Sequence, residues 1–357
     1  MGLPGTRRSF ALPVPAEDPS SRREGPLAPS GGVYVGGLDR SGKTTMSAYL
    51  TSHSRIAIPP VGSNMWTYFY RQYGNLAHAR NLDRCLTALL SYKHVKFLKP
   101  DVARVRREFV EGPPTYARLF QLFLGHYAER EGKARWGAQT GLIERYIPEL
   151  IEAYEGVRIV HMLRDPRDRY LASLELWPEG KGRAGGAIAR WQYSTRLAER
   201  YAARYPAQFL IVRFEDLITS TEPTLRLVCA FLREDFEPEM LEMAGAPRHR
   251  DRLADAAARH PDGEMLSTEH IGRFRGRVPS AELAFMQLRA GRRMRRHRYQ
   301  LERIRLTARG RVHFVLVDWP SQMLRLAAWR GVEALRQRFP YVVGRKPGRR
   351  MIVDPHE

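Results

Sequence analysis

Gly37-Leu38-Asp39-Arg40-Ser41-Gly42-Lys43-Thr44 fits the spacing G-x-x-x-x-G-K-[ST], and its flanks supply the setting that spacing needs. Ahead of it stands Val33-Tyr34-Val35, a short β-branched and aromatic run that ends in Gly36-Gly37. Behind it, Thr45 to Ser52 carries apolar positions at helical spacing. Strand, glycine-bearing loop and helix in that order let backbone amides wrap a phosphate-like group. The helix N-terminus adds partial positive charge, and Arg40 and Lys43 add full charges. A nucleoside triphosphate and a sulfated nucleotide both satisfy this loop.

Working outward, a second strand-to-helix turn separates the two. The apolar run from Val157 to Leu163 reads as a strand and ends in Arg164-Asp165-Pro166-Arg167-Asp168-Arg169. A loop that handles a triphosphate usually needs a magnesium carboxylate at such a strand end. Three arginines suit a second phosphate better than a metal ion, with Asp165 and Asp168 pairing with them or capping the helix. That helix is expected from about Asp168 to Leu176, followed by a glycine-rich loop at 180–186 and a longer helix over 187–204. Phe209 to Val212 is a third strand, and Thr221 to Leu232 a helix with Thr219, Ser220 or Thr221 as its cap. Residues 65–130 read as mainly helical with a break at Pro113-Pro114, and Ile143 to Tyr154 as one helix. Strands alternating with helices indicate an α/β fold, a three-layer P-loop-type parallel sheet flanked by helices.

The chain has 357 residues and a formal net charge of +21, with 59 basic residues of which only seven are lysine. Such a surface favours anionic partners: nucleotides, sulfated or phosphorylated substrates, nucleic acid or acidic membranes. The stretch 289–311 holds ten arginines and one glutamate and reads as a solvated helix with its arginine stems along apolar surface. After it come an apolar stretch from Val312 to Trp319, a helix start at Pro320 and an amphipathic basic helix to about Phe339. That region is expected to pack as a helical C-terminal appendage, with peripheral membrane contact as the other reading. Cys85 and Cys229 each lie in apolar helical pattern and read as buried thiols, not as a disulfide. Residues 1–30 are rich in turn formers, read as flexible, and contain no apolar stretch of the secretory type, so a cytoplasmic protein is expected. The division expected is a flexible segment 1–30, a main domain 31–302 and a basic, partly helical appendage 303–357.

Together these residues resemble the sulfotransferase superfamily, most of all its branch with tyrosylprotein and bacterial enzymes. The donor loop of that branch reads GG-x-x-RSGTT, against Gly36-Gly37-Leu38-Asp39-Arg40-Ser41-Gly42-Lys43-Thr44-Thr45 here. Its second element reads RDPRD and then a helix with a phosphate-binding serine, against Arg164 to Asp168 and Ser173 here. Val212-Arg213-Phe214-Glu215-Asp216-Leu217 is similar to RYEDL, and Ile271-Gly272-Arg273-Phe274-Arg275 to a late GRWR-type segment near the nucleotide. The resemblance spans roughly residues 32–302 with the order preserved.

The resemblance implies transfer of a sulfuryl group from 3′-phosphoadenosine-5′-phosphosulfate to an acceptor hydroxyl, by in-line transfer and without a metal. Arg40, Ser41, Gly42, Lys43, Thr44 and Thr45 would hold the 5′-phosphosulfate, and Arg164 and Ser173 the 3′-phosphate. Arg273 and Arg275 would lie near the nucleotide, and Arg40 and Lys43 would neutralise the oxygens about the leaving phosphate. Four departures stand out. Lys43 replaces a threonine; Ser173 follows Arg164 by nine residues where eight is usual, with Ala172 at the expected place. Trp136-Gly137-Ala138-Gln139-Thr140-Gly141 stands where relatives have W-G-D/E-K-T-P, and no glutamate follows the donor helix in Ile58 to Asn64. His94 is therefore the candidate general base, ahead of Glu144 and His126, while His53 reads as a helix cap. The acceptor is expected to be a saccharide, a lipid or a small molecule. The alternatives are a P-loop kinase of the adenylylsulfate kinase type and a non-catalytic nucleic-acid-binding protein; on the first reading no specific nucleic-acid partner is expected.

Overall fold

The computed structural model describes residues 31–176, 183–251 and 268–339, together with positions 347, 351 and 352. The flexible segment expected over 1–30, most of the tail beyond 339 and the first part of the expected loop at 180–186 lie outside them. Five strands form one parallel sheet in the order β2-β3-β1-β4-β5: β1 Val33–Gly37, β2 Ile56–Ala57, β3 Arg135–Gln139, β4 Arg158–Leu163 and β5 Phe209–Arg213. Val33 lies opposite both Gly137 and Arg158, and Val35 opposite Val160, which puts β1 at the centre. Both sheet faces are covered, so β1, β4 and β5 read as largely apolar runs.

Alternate residues of β1 go to opposite layers. Tyr34, with Ala138, Ile159 and Phe209, packs against helices α2 (Ala79–Leu90), α3 (Val102–Val110), α4 (Tyr116–Arg130) and α5 (Ile147–Ala153). Val33 and Val35, with Val160, Met162 and Val212, pack against Met46 and Leu50 of α1 (Lys43–Ser52). These are the three layers that strand–helix alternation predicts. A third cluster joins α6 (Pro166–Leu176) and α7 (Arg183–Arg204), through Tyr170, Ile188 and Trp191, to Phe274, Phe285, Met286, Met294, Phe314 and Leu326. On the same face as α1 lie α8 (Phe214–Thr219) and α9 (Thr221–Leu232), through Leu217, Leu225 and Val228; α10 (Ser280–Arg296) and α11 (Trp319–Arg338) are the last long helices among the described residues.

The structure corrects several local expectations. Residues 183–186 are not loop but the first turn of α7, and Gly185 is there because α11 comes too close for a side chain. A Cβ at Gly185 would lie 2.1 Å from the Gln322 carbonyl oxygen, and the Gly185 amide donates to Gln322 Oε1 at 2.8 Å. The segment expected as one helix over Ile143 to Tyr154 is a 3₁₀ turn, Ile143–Arg145, and then α5. Ser220 occupies the cap position of α9 without a capping bond, while Thr219 and Thr221 donate back to the carbonyls of Glu215 and Leu217. The arginine-rich run 289–311 is not one helix: α10 ends at Arg296, and Arg293, Arg296 and His297 converge on Glu199 of α7. The apolar stretch Val312 to Trp319 is helical too, running from Ala308–His313 through a π turn, Phe314–Asp318, directly into α11. Cys85 and Cys229 are buried free thiols, and burial pushes both up to about 12.

Candidate functional site

In a parallel sheet every strand delivers its following loop to the same edge, and ligands of such folds gather there. The loops after Gly37, Ala57, Gln139, Leu163 and Arg213 therefore share one rim. The first loop needs glycine at both ends. Gly37 has φ +114° and Gly42 φ +93°; a Cβ on Gly42 would lie 2.4 Å from Phe214 Cδ2. Arg40, although not glycine, also takes a left-handed φ of 65°, strain of about 1–3 kcal/mol that the surrounding contacts must hold. Ser41 Oγ donates to the Leu38 carbonyl at 2.7 Å. Lys43 Nζ turns back on its own loop and donates to the carbonyls of Gly37 at 3.0 Å and Leu38 at 2.7 Å, with Asp39 Oδ1 at 3.7 Å. Thr45 is buried, and Thr44 Oγ1 lies 3.4 Å from Gln139 Oε1 at the end of β3.

The second turn meets the first through Arg164. One arm of its guanidinium donates to the Arg40 carbonyl at 3.2 Å, the other to the His270 carbonyl at 2.8 Å, and its face lies 4.4 Å over the Phe214 ring. Arg167 turns elsewhere: it is buried, donates from Nε and Nη2 to Asp165, and stacks on Phe274. Asp168 accepts from the amides of Gly272 at 2.7 Å and Phe274 at 3.0 Å, so it anchors the late segment to the start of α6. That anchoring brings Arg273 in beside Glu175 at 3.0 Å, while Arg275 faces outward, paired with Glu302. Ser173 Oγ donates to the Arg169 carbonyl one turn back at 2.9 Å.

Electrostatically these residues form one cationic field. Burial lowers the pKa of Arg40; the Glu175 carboxylate opposes the shift and Arg273 adds to it. Arg164 is lowered by burial and by the charges of Arg40 and Arg273, against Asp168 and Glu215. Burial takes Arg169 down to about 10, and Lys43 is lowered by burial with Asp39 and Glu144 opposing. The Nε atoms of Arg40, Arg164 and Arg169 are buried and have no hydrogen-bond partner among the described residues. Buried charged donors in that condition cost free energy that a multiply charged anion returns. Sequence reasoning counted Arg169 among three arginines suited to a second phosphate without assigning it a contact, and did not notice Arg190, which burial also lowers against the opposing Asp39. Their signal was weak: Arg169 was one arginine among several, and Arg190 follows an apolar run, Ala187 to Ala189, on a helix.

The base candidates fall in different places. His94 Nδ1 lies 2.7 Å from the Gly62 carbonyl and 3.1 Å from the Tyr92 hydroxyl. The carbonyl can only accept, so Nδ1 donates and, in the neutral ring, Nε2 carries the lone pair. Gly62 belongs to the loop after β2, where Asn64 Oδ1 also accepts the Gly141 amide at 3.2 Å; His94 is thereby carried to the common rim. His126 is bonded to Glu108 at 2.8 Å on the outer helices. His53 sits at the C-terminal cap position of α1, its Nε2 3.0 Å from the Asp235 carbonyl. Glu144 is fully buried, 4.0 Å from His161, which burial holds below its ordinary value.

Residues 32–238 match the Sulfotransferase family. No curated protein matches the chain. Among solved structures, the sulfotransferase domain of the Synechococcus PCC 7002 olefin synthase is similar over 76% of this chain and 95% of its own, at 18% identity and a TM-score of 0.54. A sulfotransferase from Mycobacterium avium aligns over 77% of this chain and 79% of its own, at 14% identity and a TM-score of 0.43. A retinol dehydratase in complex with androsterone and PAP aligns over 75% and 82%, at 13% identity and a TM-score of 0.38.

Proposed function

The chain belongs to the sulfotransferase family, and from that premise we propose that it moves a sulfuryl group from 3′-phosphoadenosine-5′-phosphosulfate to an acceptor hydroxyl of a saccharide, lipid or small molecule. One observation carries the reading: half-buried Arg40 and buried Arg164 and Arg169 gather about a single glycine loop, each with a buried Nε that finds no partner among the described residues. A donor with separated anionic groups satisfies such a cluster, and the two strand-to-helix turns offer two separate places for them. We assign the loop from Arg40 to Thr45 to the phosphosulfate, Arg164 with Ser173 to the 3′-phosphate, and Arg273 and Arg275 to the nucleotide flank.

In-line transfer develops charge on the leaving phosphate and asks for fixed cations more than for covalent help. Arg40 and Lys43 supply them, with Arg169 as a third cation behind Lys43. Lys43 exchanges its bonds to Gly37 and Leu38 for bonds to the donor, a short reach from where it stands. His94 Nε2 takes the acceptor proton, the Gly62 carbonyl holding the ring in the required tautomer.

Calorimetry of 3′-phosphoadenosine-5′-phosphate without magnesium, beside ATP with magnesium, tests the donor assignment on wild type and Arg164→Ala. Magnesium-independent binding of the bisphosphate, weakened by the substitution, is expected. Preference for magnesium-ATP with Arg164 irrelevant would put phosphoryl transfer first. For His94→Gln, bisphosphate affinity should hold while transfer falls by about 10²–10⁴; a loss of donor affinity instead would make His94 a binding residue.

A further inference from the structure

The last long helix among the described residues, α11, buries Leu326 and packs Trp319, Met323 and Trp329 inward, yet it also carries apolar residues outward. In α11 the buried positions include Gln322 and Glu333, each given a partner in the protein: the Gly185 amide for the first, Arg145 for the second. One outward stripe is apolar, beside the exposed Arg330, Gln337 and Arg338. Pro320, Leu324, Ala327, Ala328, Gly331, Val332 and Leu335 follow helical spacing and are all exposed. Leu324 is 72% exposed, and the preceding turns continue the face with Val312, Val315 and Leu316 at 59%, 61% and 70%. Soluble surfaces rarely leave so continuous an apolar face uncovered.

Charge decides among the occupants. Residues 303–339 contain eight arginines and two acids. Both acids are engaged, Asp318 with His313 at 3.1 Å and Glu333 with Arg145. Alongside, a cavity of about 340 Å³ between α7, α10 and α11 is lined by Arg196, Arg293 and Arg330, with one acid, Glu333, and with Tyr193 and Trp329. A second copy laid on this face would set two arginine-rich rims together with no free carboxylate between them. An anionic lipid surface meets both demands, because its headgroups neutralise the arginines while its acyl boundary takes the apolar stripe. No described helix is long and apolar enough to cross a membrane, so the contact is one of lying on the surface. We propose that the outward face of residues 308–339 docks the protein on an anionic membrane surface. This stands apart from the reaction chemistry.

Flotation with vesicles of phosphatidylcholine alone, and of three parts phosphatidylcholine to one part phosphatidylglycerol, tests it with the full chain. The variants are Val315→Ser/Leu316→Ser/Leu324→Ser and, separately, Arg309→Glu/Arg311→Glu. These side chains are exposed, and circular dichroism checks that the fold is kept. Wild type should float with the anionic vesicles only. The apolar triple variant should lose roughly tenfold or more in partitioning, and the charge-reversed variant a comparable amount. If the triple variant floats as well as wild type, the contact is bulk adsorption by a +21 protein and the proposal fails. It fails equally if wild type does not float, or if sedimentation equilibrium shows a dimer that the triple variant abolishes, which would give the face to a second copy.

Discussion

Asp168→Ala should cost both stability and donor affinity, and its magnitude can be worked from two hydrogen bonds. The Asp168 carboxylate, 2% exposed, is the acceptor for the Gly272 and Phe274 amides at 2.7 and 3.0 Å. In the variant the Phe274 amide stays buried with no acceptor, a loss of about 1–3 kcal/mol. Gly272 is half-buried, so water can replace the lost partner, and about 0.5–1.5 kcal/mol is expected there. Against both stands the burial of the carboxylate itself, which raises its pKa and is relieved by its removal. The balance is about 1–3 kcal/mol of destabilisation. Asp168→Asn should do no better, since its amide group would point a donor at a backbone donor. Because Arg273 rides on the anchored segment beside Arg40, affinity for the bisphosphate should fall as well. Urea unfolding and calorimetry on wild type and both variants read the two effects. Unchanged stability together with unchanged affinity would refute the anchoring argument.

Gly42→Ala forces a left-handed backbone and a collision with the Phe214 ring on which Arg164 rests; a loss of about 2 kcal/mol or more is expected. Calorimetric unfolding and bisphosphate titration check it together. Glu333→Gln leaves Arg145 charged and buried, which should destabilise by about 3–5 kcal/mol, whereas Arg145→Met/Glu333→Leu should recover much of the loss. Denaturant unfolding of single and double variants reads the difference. His161 has a folded pKa below its ordinary 6.5, so the unfolded chain binds more protons between the two values. Its contribution is therefore complete above the unfolded value and lost as pH falls towards the folded one, at up to about 1.4 kcal/mol per pH unit. Thermal unfolding from pH 5 to 8 should show His161→Gln with the shallower acid slope.

The glycine loop after β1 and the strands β1 and β5 were legible, because Val33 to Val35 and Phe209 to Val212 are apolar runs bounded by turn or helix signals. A third, β4, was read one residue long, from Val157. The two strands on the far side of β1 were not. β2 is only two residues, too short for any period, and β3 reads Arg-Trp-Gly-Ala-Gln without a β-branched residue. Its Gly137 is small because Ile58 crosses it: a Cβ there would lie 2.7 Å from Ile58 Cγ1. Gly185 misled for the same reason, since close approach by a partner helix and freedom of a loop leave the same letter in the sequence. In the site, arginines adjacent to a motif could be named, but their division into Arg167 bound to Asp165, Arg164 bridging two loops and Arg169 facing Lys43 is set by the handedness of α6. Spacing alone does not carry that. The second, outward apolar stripe of α11 was hidden likewise, because an amphipathic pattern does not say which face meets the protein.

The third hydrophobic cluster imposes an order on synthesis. The sheet has all its strands once residue 213 has been made, yet one face of α7, with Ile188 and Trp191, is covered by Phe274, Phe285, Met286 and Met294. Those residues emerge about 100 positions after Trp191, a delay of roughly 5–20 s at ordinary elongation rates. For that interval the growing chain leaves Trp191 and its neighbours uncovered, with their covering not yet translated. Slowed translation between 213 and 294, or a stop codon there, should therefore yield a species that chaperones hold or proteases remove, even though its sheet is complete.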